Sequence, residues 1–128
     1  MTTAGLEITR TILKKALKLI RHPQKWCKGS YAQSVSGKDL GEKVYLAGDG
    51  CKFCAQGAIM SASVAYGQGY RHLANRAVRM QIPQQDMQFS LVDYNDDEAT
   101  EHSDIVELFE GAIEDISLEM ETAVSVSK

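Results

Sequence analysis

Two cysteines separated by two residues, Cys51 and Cys54, form the most distinctive chemical motif in the sequence. This spacing lets both sulfurs reach one metal ion or each other, as in zinc knuckles and redox pairs. A tetrahedral zinc site needs two more ligands, which Cys27 and a histidine could supply, although the sequence contains no second paired motif. Cys27, Cys51 and Cys54 are therefore the metal-ligand candidates. The competing interpretation, which we favour, is that these thiols are packed as small apolar side chains.

Cys54 could also act as a nucleophile if the fold brings a histidine beside it, which sequence alone does not determine. The neighbouring residues His102, Ser103 and Asp104 do not form a triad, because adjacent side chains on a helix point apart. The glycine pair Gly67 and Gly69 lacks the rest of a dinucleotide-binding fingerprint. We expect no cofactor, and the sequence carries no complete catalytic signature.

Hydrophobic periodicity predicts the elements that must position these residues. Residues 6–20 place apolar side chains on one face and basic ones on the other, which predicts an amphipathic helix that ends before Pro23. The glycine-rich residues 26–50 predict a long loop or a small β-hairpin. Residues 51–66 are apolar on most sides and rich in small side chains, so we expect them to form the central buried helix.

The second half of the chain predicts two further helices. Apolar residues repeat with helical spacing from Tyr70 until Pro83, and again along a final helix capped by Thr100 or Ser103 and fraying after about residue 123. Between them, Met87, Phe89 and Leu91 alternate with polar residues and predict a short strand. The sequence therefore predicts one mainly-α domain, residues 1–128, with four helices and an ordered core of about residues 5–122.

Charge is distributed unevenly along the chain, whose net charge is -3. Residues 1–28 contain seven basic residues and one acidic one, whereas residues 86–128 contain thirteen acidic residues and one basic one. We expect the basic first helix to lie near the acidic last helix, within one molecule or across a dimer. The acidic half disfavours nucleic acid as a partner because it repels phosphate. A protein partner, a second copy of the chain included, is the favoured interpretation.

Two further features of the sequence indicate where in the cell the protein is expected. No apolar run approaches the roughly 20 residues that span a bilayer, and the basic residues between positions 6 and 20 interrupt any signal-peptide core. Three cysteines, an odd number, fit free thiols in a reducing compartment. We expect a cytoplasmic protein without membrane association.

Three short motifs together resemble a known family. They are Trp-Cys-Lys-Gly-Ser-Tyr-Ala at residues 26–32, Phe-Cys-Ala-Gln-Gly-Ala at residues 53–58, and Tyr-Asn-Asp at residues 94–96 followed by Thr100 and an amphipathic helix. Their order is similar to that of domain-of-unknown-function family 6197, small proteins of bacteria and bacteriophages, over residues 8–116. The family brings no established activity. The resemblance implies which residues form its motifs, namely Trp26, Gly29, Cys54, Gly57, Asn95, Asp96 and Thr100.

Two functional hypotheses follow. The first is a non-catalytic protein-interaction domain, bacterial or phage-encoded, which includes homodimers and is suggested by the charge polarity. The second is a small enzyme or metal protein that uses Cys54 with Asn95 and Asp96 in a pocket beside Trp26. Asn95 and Asp96 also suit a purely structural turn, because their side chains can hold backbone amides before the last helix.

Overall fold

The first helix, α1, spans Thr3–Ile20 and matches the predicted amphipathic segment. The structure is a computed structural model that describes residues 2–48 and 50–126, with side chains described as far as residue 123 at the C-terminal end. The Thr2 hydroxyl caps α1 by accepting a hydrogen bond from the Gly5 N–H at 3.0 Å. The apolar face of α1 is buried while Lys14, Lys15 and Lys18 are exposed, as the periodicity predicts.

A two-stranded antiparallel sheet lies between the first two helices, which confirms the predicted hairpin. Strand β1, Ala32–Gln33, pairs with β2, Lys52–Phe53, in the register Ala32 to Phe53 and Gln33 to Lys52. The described residues of the long connection between the strands include one 3-10 turn, Val44–Leu46. Another 3-10 turn, Pro23–Lys25, directly follows α1. The glycine-rich segment is therefore folded against β2 and the helices.

The second and third helices are α2, Ala55–Ala62, and α3, Gln68–Arg79. The helix predicted over residues 51–66 is shorter at both ends. At its start, Lys52–Phe53 is a strand and Cys54 is the N-cap, and at its end the helix stops at Ala62 with Ser63 as the C-cap. It is also not the central helix. That position belongs to α1, which packs against α2, α3 and the last helix. Gly57 of α2 lets the backbone of Tyr31 approach the helix closely.

The strand predicted at Met87, Phe89 and Leu91 is wrong. Gln84–Asp86 forms a 3-10 turn, and Leu91–Asp96 forms a short helix, α4. The Ser90 side chain starts α4 by accepting a hydrogen bond from the Asp93 N–H at 3.1 Å. Leu91, Tyr94 and Asn95 are buried at helical spacing. Three apolar residues in alternation are too short a pattern to separate a strand from a turn that leads into a helix.

The last helix, α5, spans His102–Val126 and packs along α1. It starts between the two predicted caps, Thr100 and Ser103, and the Asp104 carboxylate holds its first turn by accepting a hydrogen bond from the Glu101 N–H at 2.8 Å. Both helices contribute many apolar side chains to the core, namely Leu6, Ile12, Leu13, Ala16, Leu17 and Ile20 of α1 and Ile105, Leu108, Phe109, Ala112 and Ile116 of α5.

The basic and acidic helices thus lie side by side, as the charge pattern predicts. Arg10 donates a hydrogen bond to the Ser117 hydroxyl at 3.2 Å across this contact, while the lysines of α1 are exposed. Most acidic side chains of α5 are exposed as well. The fold as a whole is mainly α, with five helices and one small sheet among the described residues. None of the described helices has both the length and the apolar character needed to cross a membrane.

Candidate functional site

Asn95, near the end of α4, is fully buried and uses every hydrogen-bonding position of its amide. Its oxygen accepts hydrogen bonds from the Trp26 indole N–H at 2.7 Å and from the Ala55 backbone N–H at 3.0 Å. Its nitrogen donates to the Cys27 carbonyl at 3.1 Å and to the Asp96 carboxylate at 2.9 Å. One side chain therefore joins α4, the segment after α1 and the first turn of α2.

Asp96 extends this network to the chain after Trp26. Its carboxylate also accepts a hydrogen bond from the Gly29 N–H at 2.9 Å, and Gly29 has φ +82, which favours glycine. Lys28 donates to the Asp97 carbonyl at 2.6 Å and lies 5.5 Å from the centre of the Trp26 ring. We call Trp26, Gly29, Ala55, Asn95 and Asp96 the polar hub.

His102, the first residue of α5, completes the surroundings of Trp26. The two ring centres lie 5.8 Å apart with the planes tilted by 57°. The His102 Nε2 lies 2.6 Å from the Ile20 carbonyl oxygen, and since a carbonyl only accepts, this nitrogen carries the proton. Thr100 is buried, and its N–H donates to the Asp97 carbonyl at 3.0 Å, which closes the turn between α4 and α5.

Cys54 is the N-cap of α2, and its sulfur accepts a hydrogen bond from the Gly57 N–H at 3.2 Å. Its own N–H donates to the Tyr31 carbonyl at 3.1 Å. That carbonyl lies so close to α2 that a Cβ at Gly57 would overlap it. The motif Cys-x-x-Gly therefore has a structural explanation: sulfur caps the helix, and glycine allows the β1 side of the hairpin to touch it.

Both thiols near the hub are held in the protonated form. Burial raises the pKa of Cys54 from its ordinary value of 9.0 to about 11, against the opposing effect of the Gly57 N–H. Burial also raises the pKa of Cys27 to about 12, and the neighbouring Cys54 adds to this increase. Because the thiolate is the nucleophile and the metal ligand, these shifts favour unreactive thiols near neutral pH.

We expect alkaline pH to destabilise the protein through Cys54. The unfolded thiol loses its proton near pH 9.0, whereas the folded thiol keeps it until about 11. The contribution of Cys54 to the free energy of unfolding is therefore fully present below the pKa of the unfolded thiol, and it is lost as the pH rises through the pKa of the folded thiol. At about pH 10 the protein should be less stable by about 1.4 kcal/mol. Urea unfolding at about pH 8 and about pH 10 measures this loss.

The control variant is Cys54→Ser, which keeps an N-cap acceptor and removes the titrating thiol. Burial also raises the pKa of Cys27 and the pKa of Tyr94. Both residues are present in the parent and in the variant, so the comparison isolates Cys54. The loss of unfolding free energy between the two pH values should be smaller in the variant by about 1.4 kcal/mol. Equal losses in the two proteins would contradict a raised pKa at Cys54.

The two cysteines of the spaced pair have different surroundings. Cys51 lines a groove beside α1, whereas Cys54 lines a small cavity of about 170 Å³ beside Asp96. All three cysteines are free and buried. Within the described part of the chain, no three histidine, cysteine or acidic side chains are grouped closely enough to hold a metal ion. Asn95 uses all four of its hydrogen-bonding positions within the protein, which is typical of a structural network.

The groove beside α1 could not be identified from the sequence, because three separate segments form it. It has a volume of about 620 Å³ and more apolar than polar surface. Lys15, Lys18, His22 and Lys25 contribute its basic side, and Leu19, Phe53, Ala62 and Val64 contribute apolar surface. No acidic residue lines it among those that the structure describes. We call this surface the basic groove.

Comparison with known proteins agrees with the motif pattern. The chain matches the family of unknown function DUF6197 over residues 7–115, which is most of its length. All five hub residues lie in the matched range, as do Cys54, Gly57 and Thr100. No curated protein and no solved structure is significantly similar to the chain.

Proposed function

We propose that the protein, which belongs to the family of unknown function DUF6197, is a non-catalytic interaction domain that assembles with a second copy of itself. The observation that carries the proposal is the basic groove, an apolar depression with three lysines and one histidine along it. Such a surface suits an acidic segment that also carries an apolar side chain.

The chain itself offers such a segment on the outer face of α5. Glu107, Glu110, Glu114, Leu118 and Glu121 follow one another at spacings of three or four residues, so they lie on one face of the helix. All five are exposed. Leu118 is 53% exposed and gives this charged face one apolar side chain. We call these residues the acidic stripe.

Charge complementarity favours the acidic stripe as the segment that binds in the basic groove. In the proposed dimer, Leu118 of one copy enters the basic groove of the other, and the flanking Glu114 and Glu121 lie near its lysines. A two-fold arrangement forms the contact twice, which doubles the buried area. Nucleic acid is disfavoured, because the acidic stripe would repel phosphate.

Unreactive thiols support the non-catalytic part of the proposal. Cys54 is engaged as a helix cap and its pKa is raised to about 11, and Asn95 has no free hydrogen-bonding position in the hub. Three free buried cysteines also fit a reducing compartment. We propose that the protein acts in the cytoplasm of a bacterial cell or of a phage-infected host.

Charge reversal in the groove tests the proposed contact. Sedimentation equilibrium of the full chain should show a dimer that dissociates as the salt concentration rises from about 50 mM to about 500 mM. Lys18→Glu and Glu114→Lys should each weaken the dimer about tenfold, because each places like charges in contact. The double variant should regain most of the affinity, since the two reversed charges face each other across the interface.

The matched control is Lys14→Glu, the same charge change at an exposed position of α1 that does not line the groove. Its dimer should have a dissociation constant within about twofold of the parent value. A chain that stays monomeric at low salt would overturn self-assembly. A dimer that Lys18→Glu and Lys14→Glu weaken equally would overturn docking in the basic groove.

A further inference from the structure

Cys27 and Cys54 are far apart in the chain, but the fold places them on neighbouring segments. Trp26 and Phe53, the residues directly before them, form a parallel β-bridge. The Cys27 N–H donates a hydrogen bond to the Phe53 carbonyl at 3.0 Å. Because the two segments run in the same direction, the residues that follow the bridge, Cys27 and Cys54, are neighbours as well.

The polar hub holds the backbone on both sides of this pair. The Asn95 amide nitrogen donates to the Cys27 carbonyl at 3.1 Å. Its oxygen accepts a hydrogen bond at 3.0 Å from the N–H of Ala55, the residue after Cys54. One fully buried side chain therefore fixes the spacing of the two cysteines, and groups held at a fixed, short distance react with each other more readily than with free molecules.

Both thiols lie near the same carboxylate. Burial is the main cause of the raised pKa of each thiol, and the negative charge of Asp96 raises the pKa of both further. Cys54 also adds to the pKa of Cys27. Cys54 and Asp96 line the same small cavity, of about 170 Å³, which offers a small molecule a route to the Cys54 sulfur.

The spaced pair Cys51 and Cys54 does not have this geometry. The two residues between them form the strand β2, and an extended chain rises about 3.3 Å per residue. Three such steps put the two Cα atoms about 10 Å apart, whereas a disulfide spans Cα separations of about 4.4 to 6.8 Å. Neighbouring β segments lie about 4.8 Å apart, within that range. Cys27 is therefore the residue that can form a disulfide with Cys54.

From this juxtaposition we infer that Cys27 and Cys54 form a modification site at which hydrogen peroxide converts two thiols into a disulfide. The Cys54 thiolate attacks a peroxide oxygen, the O–O bond breaks, and the departing hydroxide takes up a proton to leave as water. The product is a sulfenic acid at Cys54. The Cys27 thiolate then attacks this sulfur, the S–O bond breaks, and a second water leaves. The two thiols lose two electrons and two protons in total, and one peroxide becomes two water molecules.

The raised pKa values set the conditions for this reaction. Few thiolates are present near neutral pH, so the first step is slow and the pair stays reduced until peroxide accumulates. The new bond joins the segment after α1 to the start of α2 and closes a long loop, which stabilises the fold by constraining the unfolded chain. Neither cysteine is among the described residues that line the basic groove, so the inference does not depend on the proposed dimer.

Peptide mapping of the full chain after treatment with millimolar hydrogen peroxide tests the inference. Trypsin cuts after lysine and arginine, so the three cysteines fall on separate peptides, residues 26–28, 44–52 and 53–71. Mass spectrometry without reduction should show peptide 26–28 linked to peptide 53–71, with the loss of two hydrogen atoms. The thermal midpoint should rise by at least about 3 °C. Dithiothreitol should reverse both the link and the rise, which separates them from methionine oxidation.

Two variants identify the partner of Cys54. Cys51→Ala is the matched control, because Cys51 lines the basic groove instead, and its link should form at a rate within about twofold of the parent rate. Cys27→Ser removes the second thiol, so oxidation should stop at Cys54 without a link and without the rise in thermal midpoint. The inference is wrong if the parent chain shows no link, if peptide 44–52 is linked to 53–71, or if the linked protein has no higher midpoint than the reduced one.

Discussion

Replacing Asn95 with alanine should destabilise the protein by about 4 kcal/mol, a large share of the stability of a domain of this size. The variant loses four hydrogen bonds at once. It also leaves the Trp26 indole N–H, the Ala55 N–H and the Cys27 carbonyl without their shared partner. Each buried group left unpaired costs about 1 to 3 kcal/mol, more than the net value of the bond itself.

Urea unfolding followed by circular dichroism measures this change as a lower transition midpoint with a similar slope. Tryptophan fluorescence adds a local readout, because Trp26 is the only tryptophan of the chain. The loss of its partner should shift the emission while the protein is still folded. A protein that unfolds entirely without Asn95 would agree with the same prediction.

Asp93→Asn is the matched control for Asn95→Ala. Asp93 lies on the same short helix and is exposed, so its replacement should change the unfolding free energy by no more than about 0.5 kcal/mol. If Asn95→Ala were as mild as Asp93→Asn, the hub would not hold α4 against the rest of the molecule. The family motif around Asn95 would then need a functional explanation instead of a structural one.

The parts of the fold that sequence predicts are those set by local patterns. The apolar repeat from Leu6 to Ile20 and the proline after it determine α1, and the same type of repeat determines α5. The small α4 was missed because a helix of six residues gives less than two turns of pattern. Cys54 was placed inside a helix, although its sulfur caps one, since thiols are uncommon as N-caps.

The site is harder to predict than the fold, because its contacts join distant positions. The bond from Trp26 to Asn95 spans 69 residues, and the bond from Asn95 to Cys27 spans 68. Motif resemblance named these residues, but only the fold shows that they bond to each other. No sequence pattern indicates the basic groove, since it is assembled from segments that are far apart in the chain.

The second large effect is expected at Gly57, where alanine should destabilise the protein by about 3 kcal/mol. Alanine is normally the better helix former by about 1 kcal/mol, so the expected sign is opposite to that of helix propensity. The added methyl group would overlap the Tyr31 carbonyl oxygen. To relieve the overlap, α2 must move away from the chain around Tyr31, which breaks the hydrogen bond from Cys54 N to that carbonyl.

Gly69→Ala isolates this steric effect, because Gly69 is also helical but has open space where its Cβ would lie. It should leave the unfolding free energy unchanged or raise it by up to about 1 kcal/mol. Opposite signs for the two glycine variants in one urea experiment would therefore locate the constraint at the contact between α2 and Tyr31. Two variants of equal, small effect would show that backbone movement absorbs the methyl group, and Gly57 would no longer be explained by close packing.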